Sequence, residues 1–382
     1  MQKKPRGCRG IGEYIMEERV RTTPSGEPLW SNYIHRKGAA LGLPIAGNFE
    51  LTSNCNFNCK MCYVHSDAHK ESMSAEDWIE LGRTARDAGM VFLLLTGGEP
   101  LLRKDFKQIY SALYQMGLLI SINTNASLID DDMFDFLVKQ PPMRMNISLY
   151  ACNNDVYREL CGKPACEIVK NNIRRLHDAG IGVKVNASIT PYNASEIEGI
   201  YEFAKEVGVQ VQATTYMYPP VRINGECFGE SPARFDAEEA AAQMLRCREQ
   251  YLTPDQLRRS ASGIMPDEDN CGSDVSERMR CRAGRTAFWV TWDGRMLPCG
   301  MFPGKGYQIR EIGFAAAWEE VKSFTKTILM PKECTNCPKK DRCSACAAAC
   351  IAETGRSDIC PEYICRLTKT YDRLLEEKYK EE

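Results

Sequence analysis

Apolar and polar positions along the chain fall into a repeating pattern from residue 47 onward. Short apolar runs alternate with longer amphipathic segments. Val91-Phe92-Leu93-Leu94-Leu95-Thr96 shows the first kind most plainly, an unbroken apolar run closed by Gly97-Gly98-Glu99-Pro100. A run of that length bounded by Gly and Pro reads as a buried strand. Further strands are predicted over 48–52, 118–123, 143–150, 182–190 and 209–216. Between them, helical patterns run from the cap Ser74 to Gly89 and over 104–115, 131–139, 166–178 and 196–207. At the first of these, Ser74 with Asp77 three residues on approximates a capping box, and Gly89 closes the helix. Six strands alternating with five helices predict an α/β protein with a parallel sheet wound in one direction.

The flanks differ. Residues 1–44 are polar, punctuated by Gly and Pro, and show no firm period. After the sixth strand, 236–252 is rich in Ala, Glu and Gln and reads as a helix, and 266–274 reads as a loop. From Cys281 the chain becomes cysteine-rich. The expected division is an N-terminal extension (1–44), an α/β core (45–220), a helical linker (221–280) and a cysteine-rich domain (281–382).

Composition narrows the class. With 382 residues and 43% hydrophobic positions the chain can bury a substantial core. A net charge of -2 gives no electrostatic case for nucleic acid or an anionic membrane. No apolar run is long enough to span a bilayer, and residues 1–21 lack the apolar stretch of a signal peptide. The 19 cysteines are grouped at ligand spacings in a long chain, unlike a secreted disulfide scaffold. A reducing cytoplasm, that of an anaerobe, is the expected compartment.

Candidate chemistry begins at Cys55-Asn-Phe-Asn-Cys59-Lys-Met-Cys62, a C-x3-C-x2-C spacing. Three thiolates on a four-iron cluster leave one iron free to bind a small molecule, whereas a structural cluster draws four. Half of a zinc site is the alternative for three cysteines taken alone. Glu99, at the carboxyl end of the second strand, is a carboxylate suited to an ammonium group. Gly97 and Gly98 would let the backbone approach a ligand, and Pro100 ends the strand.

The triad followed by Gly-Gly-Glu-Pro resembles the radical S-adenosylmethionine (SAM) enzymes. That resemblance implies a partial (β/α)6 TIM-type barrel, a [4Fe-4S] cluster on Cys55, Cys59 and Cys62, and SAM chelating the open iron. It implies that the motif Gly97, Gly98, Glu99, Pro100 holds the SAM amino group. Met61 falls where the family often has an aromatic residue near the adenine. Ser148 and Asn186 fall at strand ends that often touch SAM; ordinary polar strand termini are the alternative for both.

The second cysteine region starts with Cys281, twelve residues, Gly294, four residues and Cys299. Cys334, Cys337, Cys343, Cys346, Cys350, Cys360 and Cys365 follow. This resembles the SPASM extension of radical SAM proteins, which implies two auxiliary [4Fe-4S] clusters. By the family's interleaved ligation, Cys334, Cys337, Cys343 and Cys365 hold one cluster. Cys281, Cys299 and one or both of Cys346 and Cys350 hold the other. The run departs from the family pattern at its fourth cysteine, so Cys271 and Cys360 stand as substitutes, and an open coordination site on the cluster of Cys281 and Cys299 is one alternative. Read without the barrel, C-x2-C-x5-C-x2-C would suit a zinc ribbon. Cys8, Cys152, Cys161, Cys166, Cys227 and Cys247 read as reduced small hydrophobes or surface thiols, with Cys161 in the loop after the fourth strand.

The resemblance implies one electron from a donor such as flavodoxin or ferredoxin, cleavage of SAM to a 5′-deoxyadenosyl radical, and abstraction of a hydrogen atom from a peptide or protein substrate. Maturation of a ribosomally made peptide, by a thioether or carbon–carbon link or a related oxidation, is the first expectation, with a separate leader-binding protein as a possible partner. An anaerobic sulfatase maturase is the second, and a small-molecule or tetrapyrrole substrate a third. A non-catalytic iron–sulfur or zinc protein, acting as sensor or electron carrier, is the reading from another class.

Overall fold

The computed structural model describes residues 29–63, 73–219, 233–262, 278–279, 281–304, 306–340 and 342–380. Helix α1 (Leu29–Leu41) leads into β1 (Ala46–Glu50), α2 (Ala75–Asp87), β2 (Phe92–Thr96), α3 (Phe106–Gln115), β3 (Leu119–Thr124), α4 (Asp131–Lys139) and β4 (Arg144–Ser148). Two helices, α5 (Asn154–Cys161) and α6 (Cys166–Asp178), then precede β5 (Val183–Ser188), α7 (Ile197–Val207) and β6 (Gln210–Thr214). Strands β1 to β6 pair in sequence order and all in parallel. With their return helices they make the expected partial (β/α)6 barrel.

Side-chain alternation decides what the barrel encloses. Leu93 and Leu95 of β2, Ile120 and Ile122 of β3, Met145 and Ile147 of β4, and Val185 and Ala187 of β5 are buried in the main core. The alternate set is polar on the later strands, with Asn123, Asn146, Ser148, Asn186 and Ser188. In a strand, successive side chains take opposite faces, so one sequence supplies both a greasy outer face and a polar interior. Asn146 donates to the Asn123 side chain across that interior at 2.8 Å.

The sheet continues on the other side of β1. Strand β7 (Ala287–Val290) adds in parallel on the free side of β1, and β8 (Arg295–Leu297) and β9 (Tyr307–Gln308) follow antiparallel. Phe288 of β7 and Trp78 of α2 both pack on Phe49, so the cysteine-rich region begins inside the barrel's own core. Helices α8 (Ala237–Glu249), α9 (Pro254–Ala261), α10 (Ile309–Ile312), α11 (Phe314–Thr327), α12 (Lys332–Thr335), α13 (Ala347–Thr354) and α14 (Glu362–Tyr379) complete the order.

Four elements depart from the sequence expectation. Helix α1 lies in the segment read as patternless; it is held by His35, whose Nδ1 lies 2.9 Å from the Thr286 hydroxyl and whose ring stacks on Phe92. Helix α5 replaces the loop expected after β4, capped by Asn153 and closed by left-handed Gly162, which puts Cys161 at a helix end. Helix α9 carries its own signal, a Thr253–Gln256 capping box with Pro254 in the first turn. The β7–β9 extension consists of strands too short for a periodic pattern. The loop expected at 266–274 lies outside the described residues.

Candidate functional site

The triad sits on the loop that leaves β1, and that loop is bound on both sides. Leu51 N donates to Thr96 O, Gly98 N to Thr52 O and Glu99 N to Asn54 O, at 2.8 Å in each case. These bonds carry the β1–β2 pairing beyond the ends of both strands. On the other side Asn58 N donates to Cys161 O at 3.0 Å and Lys60 N to Leu160 O at 2.9 Å. Asn56 donates to the Ser127 hydroxyl and accepts from Asn125, tying the loop to the end of β3. Buried Arg103 closes the base, donating to Leu51 O at 2.7 Å while its other edge pairs with Asp105.

Gly97 and Gly98 owe their identity to this loop. A Cβ on Gly97, whose φ is +150°, would lie 2.6 Å from Thr52 O; one on Gly98 would lie 2.2 Å from Asn54 O. The expected reason was approach to a ligand. The approach that excludes a side chain here is backbone to backbone, although both glycines also reach the cavity wall.

That cavity, about 270 Å³, opens at the carboxyl ends of the strands. Cys55, Cys59, Cys62, Met61, Gly97, Gly98, Ser148 and Asn186 all line it. Ser148 and Asn186 are register partners across β4 and β5. The Asn186 Oδ1 atom is buried without a hydrogen-bond partner, a polar group aimed at something it does not find in the protein. Thr96, Asn123, Asn125, Tyr150 and Ser188 complete much of the wall and were not singled out from sequence. Their shared signal is position, a polar or aromatic residue at or just past a strand's carboxyl end.

Glu99 and Pro100 are placed differently from the expectation. Glu99 is 0% exposed and stands behind the wall rather than on it. Its carboxyl accepts from Thr124 Oγ1 at 2.7 Å, Asn125 N at 2.7 Å and Leu101 N at 3.1 Å. Burial pushes the group up to about 7, with those three donors opposing the shift. Pro100, itself buried, opens a one-turn helix, Pro100–Leu102, that turns the chain away. The Gly-Gly-Glu-Pro segment therefore offers the cavity its glycines, while its carboxylate braces β3 behind them.

Cys161 is a further thiol beside the triad. It is 0% exposed, off the cavity wall, and its thiol lies beside that of Cys59. The neighbouring Cys161, together with burial, pushes Cys59 well above the usual thiol range. Burial likewise pushes Cys55 up to about 12. Thiols so placed become thiolates when a cation compensates the charge, and metal binding then releases their protons.

The remaining cysteines form two neighbourhoods. Cys334, Cys337, Cys343, Cys360 and Cys365 line a second cavity of about 500 Å³, whose wall also includes Cys281 and Cys346. Cys360, a substitute by its spacing, lies against both Cys334 and Cys365; burial and these two neighbours push its thiol up. The other neighbourhood joins Cys281, Cys299 and Cys346. Burial pushes Cys299 up to about 12, with Cys346 and Cys281 adding to the shift. Tyr218 lies against this group, its hydroxyl 3.7 Å from Cys346 Sγ. Cys350, one turn past Cys346, is fully buried and interacts with Cys346, Cys360 and Cys343. Cys271 lies outside the described residues. Among the described residues, no three His, Cys, Asp or Glu side chains gather closely enough to share a single metal ion. A zinc ribbon needs four ligands around one point; thiolates on separate corners of a cluster stand further apart.

Residues 49–204 match the family model described as Radical SAM superfamily, and the chain therefore carries a radical SAM domain. Along 324 residues it is 26% identical to the AdoMet-dependent heme synthase of Methanosarcina barkeri, covering 80% of this chain and 92% of that protein. Its fold is similar to that of Streptococcus suis SuiB bound to precursor peptide SuiA, with a TM-score of 0.65, 17% identity and coverage of 93% and 86%. It is similar also to native anSMEcpe with bound AdoMet and Cp18Cys peptide, with a TM-score of 0.66, 15% identity and coverage of 88% and 98%. The architecture, an open parallel barrel with a C-terminal extension, is thus the radical SAM fold. No helix among the described residues is long and apolar enough to cross a membrane.

Proposed function

We propose that this chain is an enzyme that cleaves SAM reductively and removes a hydrogen atom from an organic substrate. The observation that carries the reading is a convergence: three thiols of one braced loop face the same cavity as the orphaned Asn186 oxygen and the glycine edge of β2. Cys55, Cys59 and Cys62 hold a [4Fe-4S] cluster in this reading, and the absence of a fourth cysteine from the described wall leaves room for SAM. Bound there and given one electron, by flavodoxin or ferredoxin for example, cluster and SAM supply methionine and a 5′-deoxyadenosyl radical. The protein's part is placement. Asn186 and Ser148 offer hydrogen bonds from the two adjacent strands, Met61 flanks the triad, and the walls exclude water around the substrate C–H bond.

The cysteine-rich region holds two auxiliary clusters in this reading. Cys334, Cys343, Cys360 and Cys365, with Cys337 beside them, supply one; Cys281, Cys299 and Cys346 supply the other. They suit an oxidation, since an electron left on the substrate after hydrogen removal needs an acceptor.

A peptide side chain is the substrate we favour. The described cavity wall bears hydroxyl, amide and backbone groups and no lysine or arginine, which fits a neutral peptide segment better than a polyanion. Two proteins of the same fold are known with peptides bound, SuiB and anSMEcpe. A tetrapyrrole is the second reading, favoured by the likeness over most of the chain to AdoMet-dependent heme synthase. The two separate by incubating the reconstituted enzyme with SAM, a strong reductant and each candidate: a short peptide encoded beside the gene, or a tetrapyrrole precursor of heme. The peptide reading expects a net loss of hydrogen from the peptide by mass spectrometry and none from the tetrapyrrole; the reverse result overturns it.

A further inference from the structure

Cys346 stands at the junction of the barrel and the cysteine-rich region. It caps α13, where Ala349 N donates to its sulfur at 3.5 Å. The hydroxyl of Tyr218 approaches the same sulfur at 3.7 Å. Tyr218 comes four residues after β6 ends, at the seam between the last barrel strand and the cysteine-rich region.

Both partners of that contact are fixed by one buried frame. The Tyr216 ring meets the Tyr218 ring edge to face, centroids 4.8 Å apart. Tyr216 Oη donates to Glu353 Oε1 at 2.6 Å, and Glu353 stands on α13, the helix that Cys346 opens. Arg234 pairs with Glu353 at 3.0 Å, both side chains being more than nine-tenths buried, and stacks over Tyr363 at 3.4 Å. The frame thus ties the strand segment carrying Tyr218 to the helix carrying Cys346, and the separation of hydroxyl and sulfur is built in.

We propose that Tyr218 donates a hydrogen bond to the Cys346 sulfur within the centre formed by Cys281, Cys299 and Cys346, and so raises the reduction potential of that centre alone. The proposal rests on the auxiliary-cluster reading given above. Iron-bound sulfur carries no proton, so the phenol must be the donor. The distance fits an O–H···S contact; external ligands on two corners of a cluster stand further apart, so Tyr218 is a positioning residue for the centre's charge and not one of its ligands. Reduction adds negative charge to the cluster and its sulfurs. A donor aimed at one sulfur stabilises the reduced form more than the oxidised one. At the seam, the same hydroxyl lies where a change in the barrel mouth would be felt by the centre.

The test uses the full-length reconstituted protein and reads each cluster's potential by redox titration followed by EPR. Tyr218→Phe keeps the ring and removes only the donor. The expected result is one auxiliary signal moving to lower potential, with iron content and the other signals unchanged. Tyr216→Phe, which loses a hydroxyl on Glu353 and none on sulfur, is expected to leave that potential where it was. An unmoved potential in Tyr218→Phe overturns the proposal, and so does an equal shift in Tyr216→Phe, which would trace the effect to the frame. Loss of one cluster's iron in Tyr218→Phe overturns it too, since the phenol would then be a ligand. A Cys346→Ala variant that keeps the full iron content of the wild type overturns the auxiliary-centre reading, and this proposal with it.

Discussion

Glu99 is the residue at which burial and function meet most sharply. Its carboxyl ionises near 4.5 in an unfolded chain and holds its proton to about 7 in the folded one. Between those values the unfolded state sheds a proton that the folded state keeps, so the metal-free protein loses stability at this group as pH rises from 4.5 to 7. The loss then levels off at roughly 3 kcal/mol. Denaturation of metal-free wild type and Glu99→Gln from pH 4.5 to 8 reads this. The wild type should lose stability relative to the variant across that window, and a constant difference would contradict it. The triad, Met61, the two glycines, Ser148 and Asn186 were legible from sequence because a motif or a strand end marks them. The inward turn of Glu99 was not, since it depends on Thr124 and Asn125 meeting it from another strand. Nor was the prominence of Cys360 over Cys350: which thiols meet is set by how α13 and α14 lie against each other, which spacing alone does not encode.

At the scale of elements, the seam between β1 and β2 carries the site. A methyl group on Gly98 would press on the Asn54 carbonyl, which is itself bound to Glu99 N. Gly98→Ala is therefore expected to cost about 1–3 kcal/mol, as overpacking does, and to displace the triad loop. Chemical denaturation and iron content of the reconstituted variant check both parts; wild-type stability with full iron would refute the account of the glycines. Strands β1 to β6 and their main helices were legible because each is long enough to show its period. Strands β7 to β9 were not, being two to four residues each and stabilised by tertiary pairing, and helix α5 was not, its eight residues reading as part of the loop after β4. Helix α9 was legible in principle, since Thr253-Pro254-Asp255-Gln256 is a capping signal that the neighbouring loop-like stretch obscured.

In the whole molecule, the cysteine-rich region meets the barrel through β7 pairing with β1 and through Glu353, which accepts from Tyr216 just past β6 and pairs with buried Arg234 of the linker. Removing one partner of such a pair leaves a buried charge uncompensated. Glu353→Ala should cost about 3–5 kcal/mol, and it should loosen the seam ahead of the barrel, which hydrogen exchange would resolve as early opening around α13. Uniform exchange across both regions would argue against a distinct seam. The sequence pattern announced a barrel followed by a cysteine-rich region; that the two share one sheet appears only once β7 is seen beside β1. The central claim remains that Cys55, Cys59 and Cys62 present a cluster with an open position to SAM. Anaerobic reconstitution followed by reduction with dithionite in the presence of SAM tests it most directly. The account predicts methionine and 5′-deoxyadenosine from the wild type. It predicts none from the protein with all three cysteines replaced by alanine, which should lose about four irons and keep the rest. Fully iron-loaded wild type that leaves SAM intact, or a triad variant that still cleaves it, would contradict the account.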